Sequence, residues 1–178
     1  MDKKTVILGV TGGIAVYKAA DLCSRLAKKY DVLVAMTANA RKLISERIFF
    51  TLSGSPVLTD LFEVPDWKPV HVGWAQKAEL MVVAPCTANF IGKYAHGIAD
   101  DALTTTAITF RGKMLLAPAM NSDILHSPAL QDNLELLKKR GVFFVGPATG
   151  HLACGADGEG RMSEPSEIAA VIDQLLES

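Results

Sequence analysis

A single thiol stands in the glycine-rich stretch Gly150–Met162, which reads GHLACGADGEGRM. Four glycines in so short a stretch disfavour both helix and strand, so a loop is expected, tethered by the helix that follows it. A flexible flap carrying Cys154 suits a segment that closes over a ligand and does chemistry there. His71 opens a short helix after an irregular segment, and Asn121 follows the fourth apolar strand. Neither is diagnostic alone: a lone histidine is more often structural, and Asn121 also suits a turn. His96, His126 and His151 share the structural reading. Cys23, Cys86 and Cys154 form no CxxC pair, and no HExxH occurs, so neither a zinc site nor a disulfide scaffold is expected.

A second kind of chemistry is anion binding. Thr11-Gly12-Gly13-Ile14 joins an apolar run to a helical pattern. Small residues let the backbone approach a ligand, and a helix N-terminus favours phosphate. The spacing is not GxGxxG. The next strand ends in Met36-Thr37-Ala38-Asn39, where a dinucleotide enzyme would usually place an acidic residue on the ribose. A hydroxyl without a carboxylate suits a phosphate better, which favours a mononucleotide and makes FMN the natural candidate.

The elements that must position these groups alternate along the chain. Strands are expected at Thr5–Val10, Asp31–Met36, Leu80–Ala84, Lys113–Ala117 and Val142–Val145, the third stopped by Pro85 and the fourth by Pro118. Helices are expected over Ile14–Lys29, Ala38–Leu52, His71–Ala78, Thr87–Ile98, Asp101–Phe110, Pro128–Arg140 and Pro165–Leu176. Val57–Val70 reads as irregular. This alternation specifies an α/β fold with an open doubly wound parallel sheet, three-layered and flavodoxin-like or Rossmann-like, in a single domain over residues 1–178. Ligands of such sheets lie beyond the carboxyl ends of the strands, where the residues above fall.

Composition narrows the class. The chain has 178 residues, 49% hydrophobic and 21% charged, enough for one sizeable core. With a net charge of −1 and scattered basic residues, no nucleic-acid partner is expected. No apolar run approaches the ~18 residues of a membrane span, and MDKKTVILGV reads as a first strand, not a signal peptide. A cytoplasmic protein with reduced thiols is expected.

Taken together, Thr11-Gly12-Gly13-Ile14-Ala15, His71-Val72, Pro85-Cys86-Thr87-Ala88-Asn89, Pro118-Ala119-Met120-Asn121 and Leu152-Ala153-Cys154-Gly155 resemble the homo-oligomeric flavin-containing cysteine decarboxylases. Within that family the pattern is most similar to the branch that decarboxylates 4′-phosphopantothenoylcysteine in coenzyme A biosynthesis. The resemblance covers essentially the whole chain. It implies FMN as cofactor, with Gly12, Gly13 and Thr37 near its phosphate, Pro85, Thr87, Ala88 and Asn89 along the flavin, and Ala119 and Met120 close to the ring. It implies a homo-oligomer, a trimer or a dodecamer of trimers, with the flavin near a subunit interface. His71 matches the active-site histidine, Asn121 the asparagine that holds the substrate carboxylate, and Cys154 the cysteine of a substrate clamp over residues 150–162 that includes His151, Leu152 and Ala153.

The implied reaction explains the residue types. A cysteine amide cannot lose carbon dioxide easily, because the resulting carbanion has nowhere to delocalise. Oxidising the thiol to a thioaldehyde creates an electron sink, and flavin accepts the hydride. The enethiolate left after decarboxylation needs reduction and a proton, which a thiol such as Cys154 can give. Peptidyl-cysteine decarboxylases of the family stop at the enethiol and lack this cysteine.

Two features depart from the pattern. The family usually continues Pro-x-Met-Asn-x-x-Met-Trp, whereas Ser122-Asp123-Ile124-Leu125 follows Asn121 here. Position 86 is cysteine where small or aliphatic residues are common, and Cys86 is read as a packing residue. In many bacteria the domain is fused to a synthetase that attaches cysteine; a stand-alone decarboxylase with a separate phosphopantothenate–cysteine ligase is expected here. The competing readings are a flavin prenyltransferase-like protein, a peptidyl-cysteine decarboxylase, a non-catalytic regulatory flavoprotein and, outside the family, a nicotinamide-binding module.

Overall fold

The computed structural model describes residues 3–62, 69–151, 155 and 157–177. Five strands form one parallel sheet: β1 (Thr5–Val10), β2 (Asp31–Met36), β3 (Leu80–Cys86), β4 (Lys113–Pro118) and β5 (Phe143–Phe144), in the order β2-β1-β3-β4-β5. Every residue of β1 and β3 is buried. That is why these strands read as continuous apolar runs: both sheet faces are covered by helices.

The pleat divides the core in two. Val6, Leu8 and Val10 of β1 join Val34, Val82 and Leu115 in one apolar cluster, while Ile7 joins Met81, Val83 and Leu116 in the other. The first cluster is covered by α1 (Val16–Ala27), α3 (Glu46–Ser53) and α9 (Pro165–Glu177). The second is covered by α4 (Val70–Lys77), α5 (Ala88–Ala95), α6 (Ala102–Thr109) and α8 (Pro128–Lys139). Truncating a fully buried Leu such as Leu8 to Ala would cost roughly 2–5 kcal/mol.

The fold class, the single domain and the five strands follow the expected pattern. Four local features differ. Pro85 does not stop the third strand; it lies within β3 at a register shift between Val83 and Cys86, where a missing backbone donor is tolerated. The helix expected over Ala38–Leu52 is broken into α2 (Ala38–Arg41) and α3, because the Ser45 hydroxyl accepts the Arg47 N–H and caps a new helix. A short helix, α7 (Ser122–Leu125), follows β4, capped by the Asn121 side chain on the Asp123 N–H at 2.7 Å.

The largest difference is the stretch expected as a loop. It contributes two antiparallel strands, β6 (Ala148–His151) and β7 (Asp157–Arg161). Its glycines are compatible with pairing because tertiary bonds hold it. The Met120 N–H donates to the Gly160 carbonyl at 2.9 Å, and the Ser122 hydroxyl donates to the Glu159 carbonyl at 2.6 Å. Leu152, Ala153 and Cys154 lie outside the described residues.

Candidate active site

The sheet order reverses between β1 and β3, and the crevice at such a switch point is where doubly wound folds bind ligands. Thr11 locks the two strand ends together. Its buried hydroxyl donates to the Pro85 carbonyl at 2.7 Å and accepts the Thr87 N–H at 3.2 Å. Beyond this point opens a cleft of about 680 Å³. One wall is Gly12, Gly13, Ile14, Ala15, Tyr17 and Lys18, running from β1 into α1. Thr87, Ala88 and Asn89 at the start of α5 form the second wall, and Ala119, Met120, Asn121 and Ile124 the third. Gly160, Arg161 and Met162 of β7 and its exit close the remaining side.

Backbone donors stand unpaired at the start of α1. Val16 and Lys18 bond back to Gly13 and Ala15, but the N–H groups of Ile14 and Ala15 have no partner among the described residues. Among the described residues no side chain caps this helix, and no acidic residue occupies its first turn. The positive end of its dipole is therefore uncompensated. Gly12 must be glycine, since a Cβ there would lie 2.6 Å from the Asn39 Cβ and 2.9 Å from the Asn39 backbone carbon. A Cβ on Gly13 would instead fill space beside Pro85 and Thr87, at 3.6 Å from each.

The structure thus brings eight of the expected residues to one cleft: Gly12, Gly13, Thr87, Ala88, Asn89, Ala119, Met120 and Asn121. Four stand differently. Pro85 supports Gly13 and Thr11 from within β3, behind the lining. Thr37 caps α2 through the Ala40 N–H at 3.2 Å, and its own N–H bonds the Val10 carbonyl. His71 lies in the first turn of α4, half-buried, and does not line the cleft of its own chain. His151 pairs with Asp157 at the far end of β6.

Asn121 is held by its cap role: its Oδ1 accepts the Asp123 N–H at 2.7 Å, which keeps the side chain at the mouth of α7 beside the cleft. Cys86 is fully buried, and burial pushes its thiol well above the ordinary range, which makes it a packing residue. Burial likewise raises the Cys23 thiol to about 11.

The sequence reading missed the cationic side of the cleft. Lys18 is buried on α1, with Nζ 2.8 Å from Glu164 Oε1 and 3.3 Å from the Met162 carbonyl. Arg161 Nη2 is 2.6 Å from the same Glu164 oxygen. The Lys18 ammonium, followed by the Arg161 guanidinium, holds the Glu164 carboxyl below the usual carboxylate range. A signal existed: Lys18 falls four residues before Leu22 on the buried stripe of α1, and a lysine there requires a partner.

The Flavoprotein family model matches residues 1–177. The chain belongs to the Flavoprotein family. Among curated relatives, the coenzyme A biosynthesis bifunctional protein CoaBC of Bacillus subtilis (strain 168) is 42% identical over 176 residues, which is 98% of this chain and 43% of that relative. The chain therefore spans less than half the length of the curated relatives it matches. Among solved structures, a PPC decarboxylase mutant complexed with pantothenoylaminoethenethiol superposes with a TM-score of 0.87 at 26% identity, covering 99% of this chain and 100% of that one. The FMN-dependent cysteine decarboxylase SpaF superposes at 0.82 with 28% identity and 97% coverage of both chains.

Proposed function

We propose that this flavoprotein is an FMN-dependent decarboxylase that converts 4′-phosphopantothenoylcysteine to 4′-phosphopantetheine in coenzyme A biosynthesis. The observation that carries the reading is the shared cleft. It puts an anion-ready helix start, a wall of small residues and the Asn121 amide around one cavity at the β1/β3 switch point. The match to relatives named for coenzyme A biosynthesis and PPC decarboxylase supports the same substrate.

The residues present fit FMN. The Ile14 and Ala15 N–H groups would hold its phosphate, Gly12 and Gly13 would allow the backbone to approach, and Thr87, Ala88, Asn89, Ala119 and Met120 would flank the ring. When bound, FMN supplies the two-electron chemistry that oxidises the substrate thiol to a thioaldehyde and later reduces the enethiol. Asn121 holds the cysteine carboxylate through neutral hydrogen bonds, so carbon dioxide can leave without breaking an ion pair. His71 takes the thiol proton or orients the carboxylate, and Cys154 returns a proton at the final reduction.

His71 does not line the cleft of its own chain, so a neighbouring copy would supply it. Ile14 and Tyr17, exposed by 66% and 64% at the cleft wall, give that copy an apolar surface to cover. A homotrimer, alone or assembled further, accommodates this arrangement. Among the described residues no helix is long and apolar enough to cross a membrane. The proposed place of action is the cytoplasm, next to a phosphopantothenate–cysteine ligase activity that supplies the substrate. Release of labelled carbon dioxide from carboxyl-labelled 4′-phosphopantothenoylcysteine tests the reading; no release by FMN-loaded protein would refute it.

A further inference from the structure

We propose that Arg161 selects the phosphorylated form of the substrate by binding its terminal phosphate, an inference that rests on the decarboxylase reading above. Among the described residues the cleft lining contains two cations, Lys18 and Arg161, and both reach one oxygen of Glu164, at 2.8 and 2.6 Å. Among the described residues, one carboxylate against two cations leaves an excess positive charge on this side of the cleft. The two cations are not equivalent. Lys18 is buried, and its ammonium is committed to Glu164 and the Met162 carbonyl. The Arg161 side chain is 45% exposed, and a guanidinium has donors to spare beyond the one bonded to Glu164.

The position of Arg161 is built. Glu164 pins one edge of the guanidinium, and Lys18 pins Glu164 in turn. The side chain lies across Gly150 on the paired strand: a Cβ at that position would come within 3.3 Å of both Cδ and Nη1 of Arg161. The bare glycine gives the arginine its place, and a planar fork held in one orientation matches phosphate geometry.

Two other anions compete for this role, and chemistry separates them. A cation on the cysteine carboxylate would stabilise the ground state and oppose loss of carbon dioxide, so the neutral Asn121 is the better partner there. The FMN phosphate has the Ile14 and Ala15 N–H groups at the start of α1. The remaining anion is the phosphate at the far end of the substrate.

The test compares FMN-loaded wild type, Arg161→Gln and Arg161→Lys on 4′-phosphopantothenoylcysteine and on its dephosphorylated analogue. Calorimetric binding of 4′-phosphopantothenate and pantothenate runs alongside. Wild type should prefer both phosphorylated compounds. Arg161→Gln should raise KM for the phosphorylated substrate by about 10–100-fold, as expected for one charge-assisted contact, with kcat held and the preference abolished. Arg161→Lys should recover part of it. Equal losses on both substrates, a wild type without preference, or loss of FMN from Arg161→Gln would overturn the assignment. If wild type turns over neither substrate yet binds 4′-phosphopantothenate in an Arg161-dependent way, the decarboxylase reading fails while the phosphate site stands. If turnover is normal but indifferent to phosphate, the reverse holds.

Discussion

Gly160 and Met120 are locked backbone to backbone: the Met120 N–H donates to the Gly160 carbonyl at 2.9 Å, and a Cβ on Gly160 would lie 2.1 Å from the Met120 carbonyl oxygen. Gly160 also has φ of 130°, a conformation that side chains rarely adopt. The β6–β7 pair is thereby seated on the segment that carries Asn121. Gly160→Ala should destabilise the protein by about 3 kcal/mol. The corresponding fall in Tm is roughly 6–12 °C for a domain of this size. A thermal melt within 2 °C of wild type, a margin below the ~2–4 °C that 1 kcal/mol shifts such a domain, would contradict this account of the seat.

Gly12 tests the cofactor cradle separately. An alanine there meets the Asn39 backbone at 2.9 Å, so either the α1 turn or the start of α2 must move. Gly12→Ala should weaken FMN binding at least about tenfold, a loss of ~1.4 kcal/mol, in a fluorescence titration. Unchanged affinity would show that the flavin phosphate does not use this turn.

Glu164 gives a pH signature. Its carboxyl is held below 4.5 in the fold, chiefly by Lys18, so its stabilising contribution is present above the unfolded value and lost as the pH falls through the folded one. Glu164→Gln should melt earlier than wild type at pH 7, and the gap should close in acid below 4.5. A gap independent of pH would mean that the two cations do not depend on this charge.

The catalytic assignments predict divided phenotypes. Cys154→Ser should still release carbon dioxide but accumulate the unreduced enethiol, whereas His71→Asn should block the reaction before decarboxylation. A Cys154→Ser enzyme making normal amounts of reduced product removes the proton-donor role. Unimpaired substrate oxidation by His71→Asn removes the other. Mixing His71→Asn with Cys154→Ser subunits should restore some activity if the histidine comes from a neighbouring copy.

Some of these features could be read in the sequence and others could not. The buried strands were legible because two covered faces force an uninterrupted apolar run, as in Thr5–Val10 and Leu80–Ala84. The turn after β1 was legible because Gly12 has a steric requirement. The β6–β7 pair was not. Its strands have almost no strand propensity of their own and depend on bonds from Met120 and Ser122, about 37 residues away in sequence. Lys18, Glu164 and Arg161 escaped for a similar reason, since Lys18 and Glu164 are separated by 146 positions and meet only when α1 and α9 pack together. His71 carried its meaning through resemblance alone.

The central claim is the reaction itself, and the most direct measurement is the mass of the product formed by FMN-loaded protein from 4′-phosphopantothenoylcysteine. The account predicts 4′-phosphopantetheine, the substrate less carbon dioxide with the thiol fully reduced. Recovery of unchanged substrate, or of the enethiol as the sole end product of the wild-type chain, would contradict it.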